Sequence, residues 1–255
     1  MDEDDFDDLL EDLEEIETWR AELACALRWA ARLGFHEGIC NHFSVAVSDQ
    51  AFLINPLGLH WSKIMASDLI IVDGEGNTLE GEGEVERTAL EIHAAVHRAA
   101  IQRADEAAFC VLHTHMPFAT ALCCSEAKGL KMVHQNSTRF LGRWAFDPDY
   151  RGLALEASEG DRIAAAKGTS DILFLAHHGV MVSGPSVAQA FDDLYYLEKA
   201  AEIQVRAAPL GLIEMPADIA EQTAAQWAEE GPDQAIRHFE ALRAILDEEE
   251  PDYAE

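Results

Sequence analysis

The sequence predicts a single α/β domain, and two apolar runs that each lead into a histidine are the first reason. Residues 109–112 and 172–176 are continuous apolar segments of strand length. Segments with apolar residues at helical spacing lie before, between and after these runs, at 19–33, 85–100 and 187–201. Strands that alternate with helices in this way are typical of α/β proteins.

Shorter signals predict the remaining strands in chain order. Residues 43–47 and 51–54 have the composition of two strands, with a three-residue turn between them. The turn-rich segment 73–77 predicts a hairpin between residues 69–72 and the residues around Leu79. These segments place four strands before the first histidine-bearing run.

Helix boundaries follow from capping residues. Gly34 is placed to end the first helix, and Pro117 suits the first turn of a helix that follows the first histidine-bearing strand. Ser186, with Gln189 three residues later, fits a capping box that opens a long helix. Residues 172–184 are interpreted as one strand that ends shortly before this cap.

Composition limits the classes of partner. The chain of 255 residues has 18 basic and 48 acidic residues and a formal net charge of −30, which argues against nucleic acid and anionic membranes as partners. No apolar run reaches the length of about 18 residues that a membrane span needs. Five cysteines, an odd number, do not suggest a disulfide framework, so we expect reduced thiols in a cytoplasmic protein.

The chain shows one domain with terminal extensions. Residues 1–17 form an acidic tail that is predicted to be disordered, with a short amphipathic helix as the alternative. Residues 18–208 form the domain, and residues 209–255 form a C-terminal helical extension. We find no internal repeat and no linker that would divide the domain further.

A histidine pair at the end of a strand predicts a metal site. His113 and His115 are two residues apart, so their side chains leave the same face of the sheet. A catalytic zinc ion usually has three protein ligands and one open position. Either His177 or His178, which close the second apolar run, can supply the third ligand.

Four short motifs together resemble the class II aldolase/adducin family. They are Asn41-His42-Phe43-Ser44, Asn55-Pro56-Leu57-Gly58, His113-Thr114-His115 and His178-Gly179, within a similarity that runs from about residue 19 to 208. The resemblance implies a three-layer α/β/α fold around a mixed, largely antiparallel sheet, often assembled as a tetramer. It also implies one divalent cation, Zn²⁺ before Mn²⁺ or Fe²⁺, and favours His178 over His177 because the family's third ligand directly precedes a glycine.

The chain differs from the sugar-phosphate aldolases of that family where they bind phosphate. Leu57 stands in place of a hydroxyl side chain, and Arg87 and Thr88 stand in place of a serine pair. A phosphorylated substrate is therefore not expected, and Arg87 is predicted to hold a carboxylate instead. The resemblance also assigns further residues to substrate binding, namely His42, Ser44, Asn55 and Gly58.

The acid–base groups are less clear, because Ala89 occupies the position expected for the family's catalytic glutamate. Glu86 is nearby and is one candidate for catalysis, although a surface role for it is the alternative. His134 is the other candidate, because it lies where some aldolases carry a tyrosine that reaches the site of a neighbouring subunit. Histidine titrates near neutrality and suits proton donation.

The sequence therefore predicts a divalent-metal-dependent carbon–carbon lyase, either a decarboxylase or a retro-aldolase. The expected substrate is a small, non-phosphorylated hydroxy- or oxo-carboxylic acid, and the expected assembly is a homotetramer. The alternative is a non-catalytic, adducin-like interaction module. Retention of three candidate metal ligands argues against that alternative.

Overall fold

The computed structural model describes residues 3–104 and 108–255, with side chains described from residue 14 onward. Its strands in chain order are β1 (His42–Ala46), β2 (Ala51–Ile54), β3 (Ile70–Asp73), β4 (Thr78–Glu80), β5 (Cys110–Thr114), β6 (Trp144–Asp147), β7 (Ile172–Leu175) and β8 (Gly179–Gly184). Its helices are α1 (Glu3–Leu33), α2 (Arg87–Arg103), α3 (Pro117–Cys123), α4 (Ala157–Lys167), α5 (Val187–Ala207) and α6 (Ala217–Glu249).

The eight strands form one sheet in the order β4-β3-β2-β1-β5-β8-β7-β6. Every neighbouring pair is antiparallel except β6 and β7, which are parallel. The sheet is therefore mixed and largely antiparallel, as predicted. The central strands β5 and β8 are each hydrogen-bonded on both sides, which holds their ends firmly in place.

Helices cover both faces of the sheet, so the predicted three-layer α/β/α architecture is confirmed. Alternate residues of each strand point to opposite faces. Leu112 and Phe174 pack into a large core with α1, α3 and α5, whereas Val111 and Leu173 pack into a second core with α2 and α4. A third cluster, centred on Phe52, joins α2 to the other half of the sheet.

Local capping matches the predictions for three helices. Gly34 has a φ angle of 71° after the last residue of α1, Pro117 is the first residue of α3, and the Ser186 hydroxyl accepts a hydrogen bond from the Gln189 amide. The interpretation of residues 172–184 as one strand was wrong. The chain reverses at residues 176–178, where His177 has a φ angle of 58°, and returns as β8. Gly179 then permits an approach to β5 that a side chain would block.

The terminal segments contact the domain at several points. Helix α1 begins at Glu3, so the backbone of the acidic segment is helical rather than irregular. Phe239, Leu246 and Tyr253 of the C-terminal segment are buried in the same large core as the sheet. Arg28 of α1 also donates hydrogen bonds to the carboxylates of Glu250 and Asp252. The division of the chain at residues 17 and 208 stays a prediction.

Within the described residues, no helix has an apolar stretch of the length needed to cross a bilayer.

The contact between α2 and α4 requires a glycine. A Cβ atom at Gly160 would overlap the carbonyl oxygen of Glu91. We therefore expect Gly160→Ala to lower the free energy of unfolding by about 1–3 kcal/mol or more, measured by urea denaturation. Ser158→Ala, at an exposed position of the same helix, is the control and should change it by no more than about 0.5 kcal/mol. Equal stability of the two variants would contradict this account of the contact.

Candidate metal centre

The sheet brings three predicted ligands together at one end of its central strands β5, β7 and β8. His113 is the fourth residue of β5, and His115 follows directly after that strand. His178 lies in the turn between β7 and β8, and β8 pairs with β5 so that Val180 is opposite Thr114. The turn is therefore next to the end of β5, and His178 lies beside the histidine pair.

The geometry of these three side chains suits one cation. One ligand nitrogen from each of His113, His115 and His178 lies within 4.8 Å of the other two. The ring centroids are 4.8–5.2 Å apart. Three nitrogens this close together could hold a shared ion, and small movements of the side chains would bring them to bonding distances of about 2.0–2.1 Å. The prediction that these three residues come together is met by the geometry, while bound metal itself stays a prediction.

His113 and His115 each use Nδ1 in a hydrogen bond with the protein, which leaves Nε2 of each ring available to bind a cation. The Nδ1 atom of His113 lies 3.0 Å from the carbonyl oxygen of Val180, to which only an N–H can donate. The Nδ1 atom of His115 lies 2.7 Å from Oε2 of Glu37. The Nε2 atom of His115 is buried and has no hydrogen-bond partner among the described residues. A buried nitrogen without a partner is unfavourable unless a ligand satisfies it, so the residues fit a cation.

The environment keeps two of the candidate ligands, His113 and His178, neutral. Burial, followed by the proximity of His178 and His115, holds the pKa of His113 well below its usual range. Burial, followed by the proximity of His115 and His42, lowers the pKa of His178 to about 4. Only a neutral imidazole has a lone pair to donate, so both rings are in the binding form at neutral pH.

Glu37 was missed by the sequence analysis. It lies in the turn between α1 and β1, and its carboxylate contacts His115 although the two residues are far apart in the sequence. No periodic pattern marks an acid at this position. The available signal was its place in a glycine-containing turn immediately before the strand that carries His42.

His42 and Glu86 lie beside the ligands. His42 is opposite His113 in the β1–β5 pairing, and the two rings stack with centroids 5.4 Å apart. The Nε2 atom of His42 lies 3.6 Å from Oε2 of Glu86. Burial opposes the ionisation of Glu86, but hydrogen bonds from His42, Thr88 and the Ala89 amide outweigh it and lower the pKa of its carboxyl to about 2.

Such a low pKa makes Glu86 a weak base near neutrality. Its carboxylate also caps the N-terminus of α2, where it accepts a hydrogen bond from the backbone of Ala89 at 2.9 Å. Glu86 therefore has a structural role in the position where the sequence suggested a catalytic one. Catalysis by Glu86 stays a prediction.

Ser44 is buried behind the candidate metal centre, and its role in substrate binding stays a prediction. Its hydroxyl oxygen lies 2.6 Å from Nδ1 of His93 and 2.7 Å from Nε2 of His97, both on α2. All three side chains are almost completely inaccessible to solvent. Burial holds the pKa of His93 well below its usual range and lowers that of His97 to about 4.

The other predicted substrate-binding residues do not line the cleft at the histidines. Asn55 is buried, and its Oδ1 atom accepts a hydrogen bond from the Phe43 amide. Gly58 lies in the loop after β2 with a φ angle of 91°. Arg87 donates to Glu91 at 2.6 Å and to the carbonyl oxygen of Leu155, and it is 58% exposed. His134 caps the short helix at Gln135–Phe140. Their functional roles stay predictions.

A cleft of about 370 Å³ opens at His115 and His178. Its walls include polar side chains and a partly exposed apolar rim: Glu37, Thr88, Thr120, Tyr150, Leu153 and His177. The ring of Tyr150 lies 6.4 Å from that of His178. No Arg or Lys is found among the described residues that line this cleft. The cleft therefore offers no side-chain cation to a phosphate group.

A larger cavity of about 470 Å³ lies against α5 and α6 and is not lined by any of the three histidines. Arg139 forms part of its wall, with its guanidinium 3.9 Å from the ring centroid of Tyr196 and 3.8 Å from that of Trp227. The guanidinium also donates to Asp192 at 3.0 Å. Its charge is paired and its faces are covered, which is typical of packing between helices. We therefore assign the chemistry to the smaller cleft.

Comparison with known proteins finds matches over most of the chain. The family model described as the class II aldolase and adducin N-terminal domain matches residues 21–205. A putative aldolase class 2 protein of Pseudomonas aeruginosa is 36% identical over 78% of this chain and 76% of its own length. The decarboxylase NovR of Streptomyces niveus is 33% identical, over 80% and 75% respectively. An adducin-related protein of Schizosaccharomyces pombe is 33% identical, over 79% and 62%.

Solved structures agree with these matches. An aldolase II superfamily protein from Pseudomonas syringae superposes with a TM-score of 0.85 at 33% identity, over 94% of this chain and 96% of its own. An L-fuculose 1-phosphate aldolase from Glaciozyma antarctica superposes with a TM-score of 0.80 at 26% identity, over 94% and 92%.

The three ligands can be tested one at a time. We expect replacement of His113, His115 or His178 by Ala to weaken Zn²⁺ binding by more than about 100-fold, since even residues that only support a ligand are worth about 10- to 100-fold. Competition with a chromophoric chelator measures the affinity. His177→Asn is the matched control, because asparagine tolerates the positive φ of 58° at that position. Unchanged affinity in a single-Ala variant would remove that residue from the ligand set.

The buried histidines predict a loss of stability in acid. The folded pKa of His97, about 4, lies below the value of about 6.5 expected when it is unfolded, so the folded state binds fewer protons. This contribution is complete above pH ~6.5 and is lost as the pH falls towards 4, by on the order of 3 kcal/mol. His97→Phe should therefore flatten the dependence of unfolding free energy on pH, measured with urea in the presence of a chelator. The same slope in both proteins would refute this.

Proposed function

The chain belongs to the class II aldolase and adducin N-terminal domain family, and on that premise we propose that it is a divalent-metal-dependent carbon–carbon lyase. Its proposed substrate is a small, non-phosphorylated hydroxy- or oxo-carboxylic acid. The observation that carries the proposal is the convergence of His113, His115 and His178, the last two of which line a cleft. An interaction module has no need for three imidazoles whose ligand nitrogens lie within 4.8 Å of one another.

The cation supplies the electrophilic part of the chemistry. When bound by the three histidines, a divalent cation would polarise a substrate oxygen beside the bond that breaks and stabilise the negative charge that develops there. Zn²⁺ is the proposed ion because imidazole ligands suit it, and the alternatives are Fe²⁺, which imidazole also suits, and Mn²⁺. The protein residues then have to orient the substrate and manage its protons.

The cleft lining supports a non-phosphorylated substrate. It has no Arg or Lys within the described residues, whereas Tyr150, Leu153 and Ile92 provide apolar surface. Such a wall suits an aliphatic or aromatic body better than a sugar phosphate. The substrate carboxylate would be held by the cation or by Arg87, which would first have to leave its ion pair with Glu91.

Of the two candidate reactions, decarboxylation is favoured. Retro-aldol cleavage requires a base that removes a hydroxyl proton, but Glu86 is a weak base and Ala89 has no acid–base group. Decarboxylation requires only an acid that protonates carbon after CO₂ leaves. The similarity to the decarboxylase NovR supports the same choice.

Two candidates for that acid differ in their position. Tyr150 lines the cleft of its own chain, with its ring near His178. His134 does not line that cleft, so its participation requires a neighbouring subunit of the proposed homotetramer.

The similarity to an adducin-related protein supports a second candidate function, a non-catalytic interaction module without metal. A cytoplasmic location is part of the proposal for either function.

The activity can be tested by measuring CO₂ release from protein loaded with Zn²⁺ or Mn²⁺. We expect release from at least one member of a panel of hydroxylated aromatic acids and 2-oxo acids, and its loss in His113→Ala. Ketose phosphates should be cleaved at least 100-fold less efficiently, a difference of about 3 kcal/mol in transition-state binding. Efficient cleavage of a ketose phosphate, or purified protein that binds no metal and releases no CO₂, would contradict the proposed reaction.

A further inference from the structure

We propose that Glu37 is a positioning residue of the metal centre, and that Asn41 and Asn55 hold it in place. Glu37 would fix the ring of His115 so that Nε2 faces the cation, and its negative charge would strengthen that ligand. The inference rests on the proposed metal site but does not depend on the proposed lyase activity.

His115 needs a partner more than His113 does. His113 lies within β5, where the ladder on both sides and the carbonyl oxygen of Val180 fix its orientation. His115 follows the end of the strand, and its side chain is 21% exposed. The 2.7 Å hydrogen bond between its Nδ1 atom and Oε2 of Glu37 fixes the orientation of this ring. It leaves the buried Nε2 atom of His115 without a partner in the part of the chain that the structure describes.

A carboxylate partner also determines where the proton of His115 resides. An ionised carboxylate can only accept a hydrogen bond, so Nδ1 must carry the proton and Nε2 must carry the lone pair. The three imidazoles bring no negative charge to a divalent cation. Glu37 supplies one without occupying a coordination position, and it makes His115 a more basic ligand.

The turn that carries Glu37 is built to hold it. Phe35 is buried immediately before the turn, and its amide donates to the carbonyl oxygen of Ala30 at 2.9 Å. The Glu37 amide donates to Oδ1 of Asn41 at 3.0 Å. Asn41 is almost fully buried and has a φ angle of 91°, a conformation in which asparagine is one of the few favourable residues.

Asn55 continues this support into the sheet. Its side-chain amide donates to the carbonyl oxygen of Asn41 at 3.4 Å, and its Oδ1 atom accepts from the Phe43 amide at 2.9 Å. A continuous chain of hydrogen bonds therefore runs from Asn55 through Asn41 and Glu37 to His115. Asn41 and Asn55 act on the ligand through the turn.

The first test measures affinity for Co²⁺ and Zn²⁺ by chelator competition, without substrate. We expect Glu37→Ala to weaken binding by about 10- to 100-fold, the range seen when the outer partner of a ligating histidine is removed. Glu37→Gln keeps an acceptor but not the charge and should lose less. Asn41→Gly permits the positive φ but removes the bond to the Glu37 amide, so a loss of a few-fold is expected.

Glu156→Gln is the matched control, because it removes an exposed carboxylate that makes no side-chain cap at the start of α4. Its affinity should equal that of the wild type, which would separate the hydrogen bond from a general effect of charge. Thermal melts of the metal-free variants verify that each is folded. If Glu37→Ala does not fold, Glu37→Gln provides the same comparison.

The second test observes the proton directly. ¹⁵N-detected NMR of histidine side chains in the metal-free protein should show His115 protonated at Nδ1 in the wild type and shifted towards protonation at Nε2 in Glu37→Ala. His113 should keep its proton on Nδ1 in both proteins. Wild-type metal affinity together with an unchanged His115 signal in Glu37→Ala would overturn the proposal. If Glu37→Ala binds metal more weakly than the wild type, but the wild type releases no CO₂ from any substrate, the role of Glu37 is supported and only the proposed reaction is rejected.

Discussion

The pairing of β5 with β8 is the interaction on which the metal centre depends. It places the turn that carries His178 next to His113 and His115, and it provides the Val180 carbonyl that orients His113. The two strands approach so closely at Gly179 that a Cβ atom there would lie 2.5 Å from the Thr114 carbonyl oxygen and 2.7 Å from Cδ2 of His115. One backbone contact therefore sets the separation of all three imidazoles, and glycine is the residue that permits it.

Two other segments of the chain contact the three histidines and their neighbours. On one side, the turn before β1 delivers Glu37 to His115. On the other side, α2 begins with Glu86 beside His42, which stacks on His113. These contacts join segments that are far apart in the sequence. The site therefore forms only in the folded chain, because no single segment contains both the ligands and the residues that orient them.

The sequence predicted those features that depend on local pattern. Two histidines two residues apart on an apolar strand must share a face, and the structure places them together with His178. The two hairpins formed by β1 to β4 and the first residues of α3 and α5 were also predicted, because turn and capping residues act over only a few positions. The three-layer fold came from the family resemblance rather than from periodicity.

Features that depend on distant contacts were not predictable in this way. Strand β6 and helix α4 were missed, and residues 172–184 were wrongly taken as one strand because the reversal at His177 has no conventional turn sequence. Glu37 carried no pattern at all. Ser44 and Asn55 were assigned to the substrate from motif position, whereas the structure buries both within hydrogen-bonded networks. The position of a residue in a motif therefore did not predict which groups its side chain contacts.

The buried trio of Ser44, His93 and His97 shares one hydroxyl hydrogen. That hydrogen lies between two ring nitrogens, and only one of them can receive it. If His93 receives that hydrogen, His97 must donate its own, and the converse arrangement has the same number of protons and the same net charge. The trio beneath the site can therefore be protonated in two ways of equal charge, which differ in the direction of its hydrogen bonds and in which ring nitrogens of His93 and His97 carry their protons.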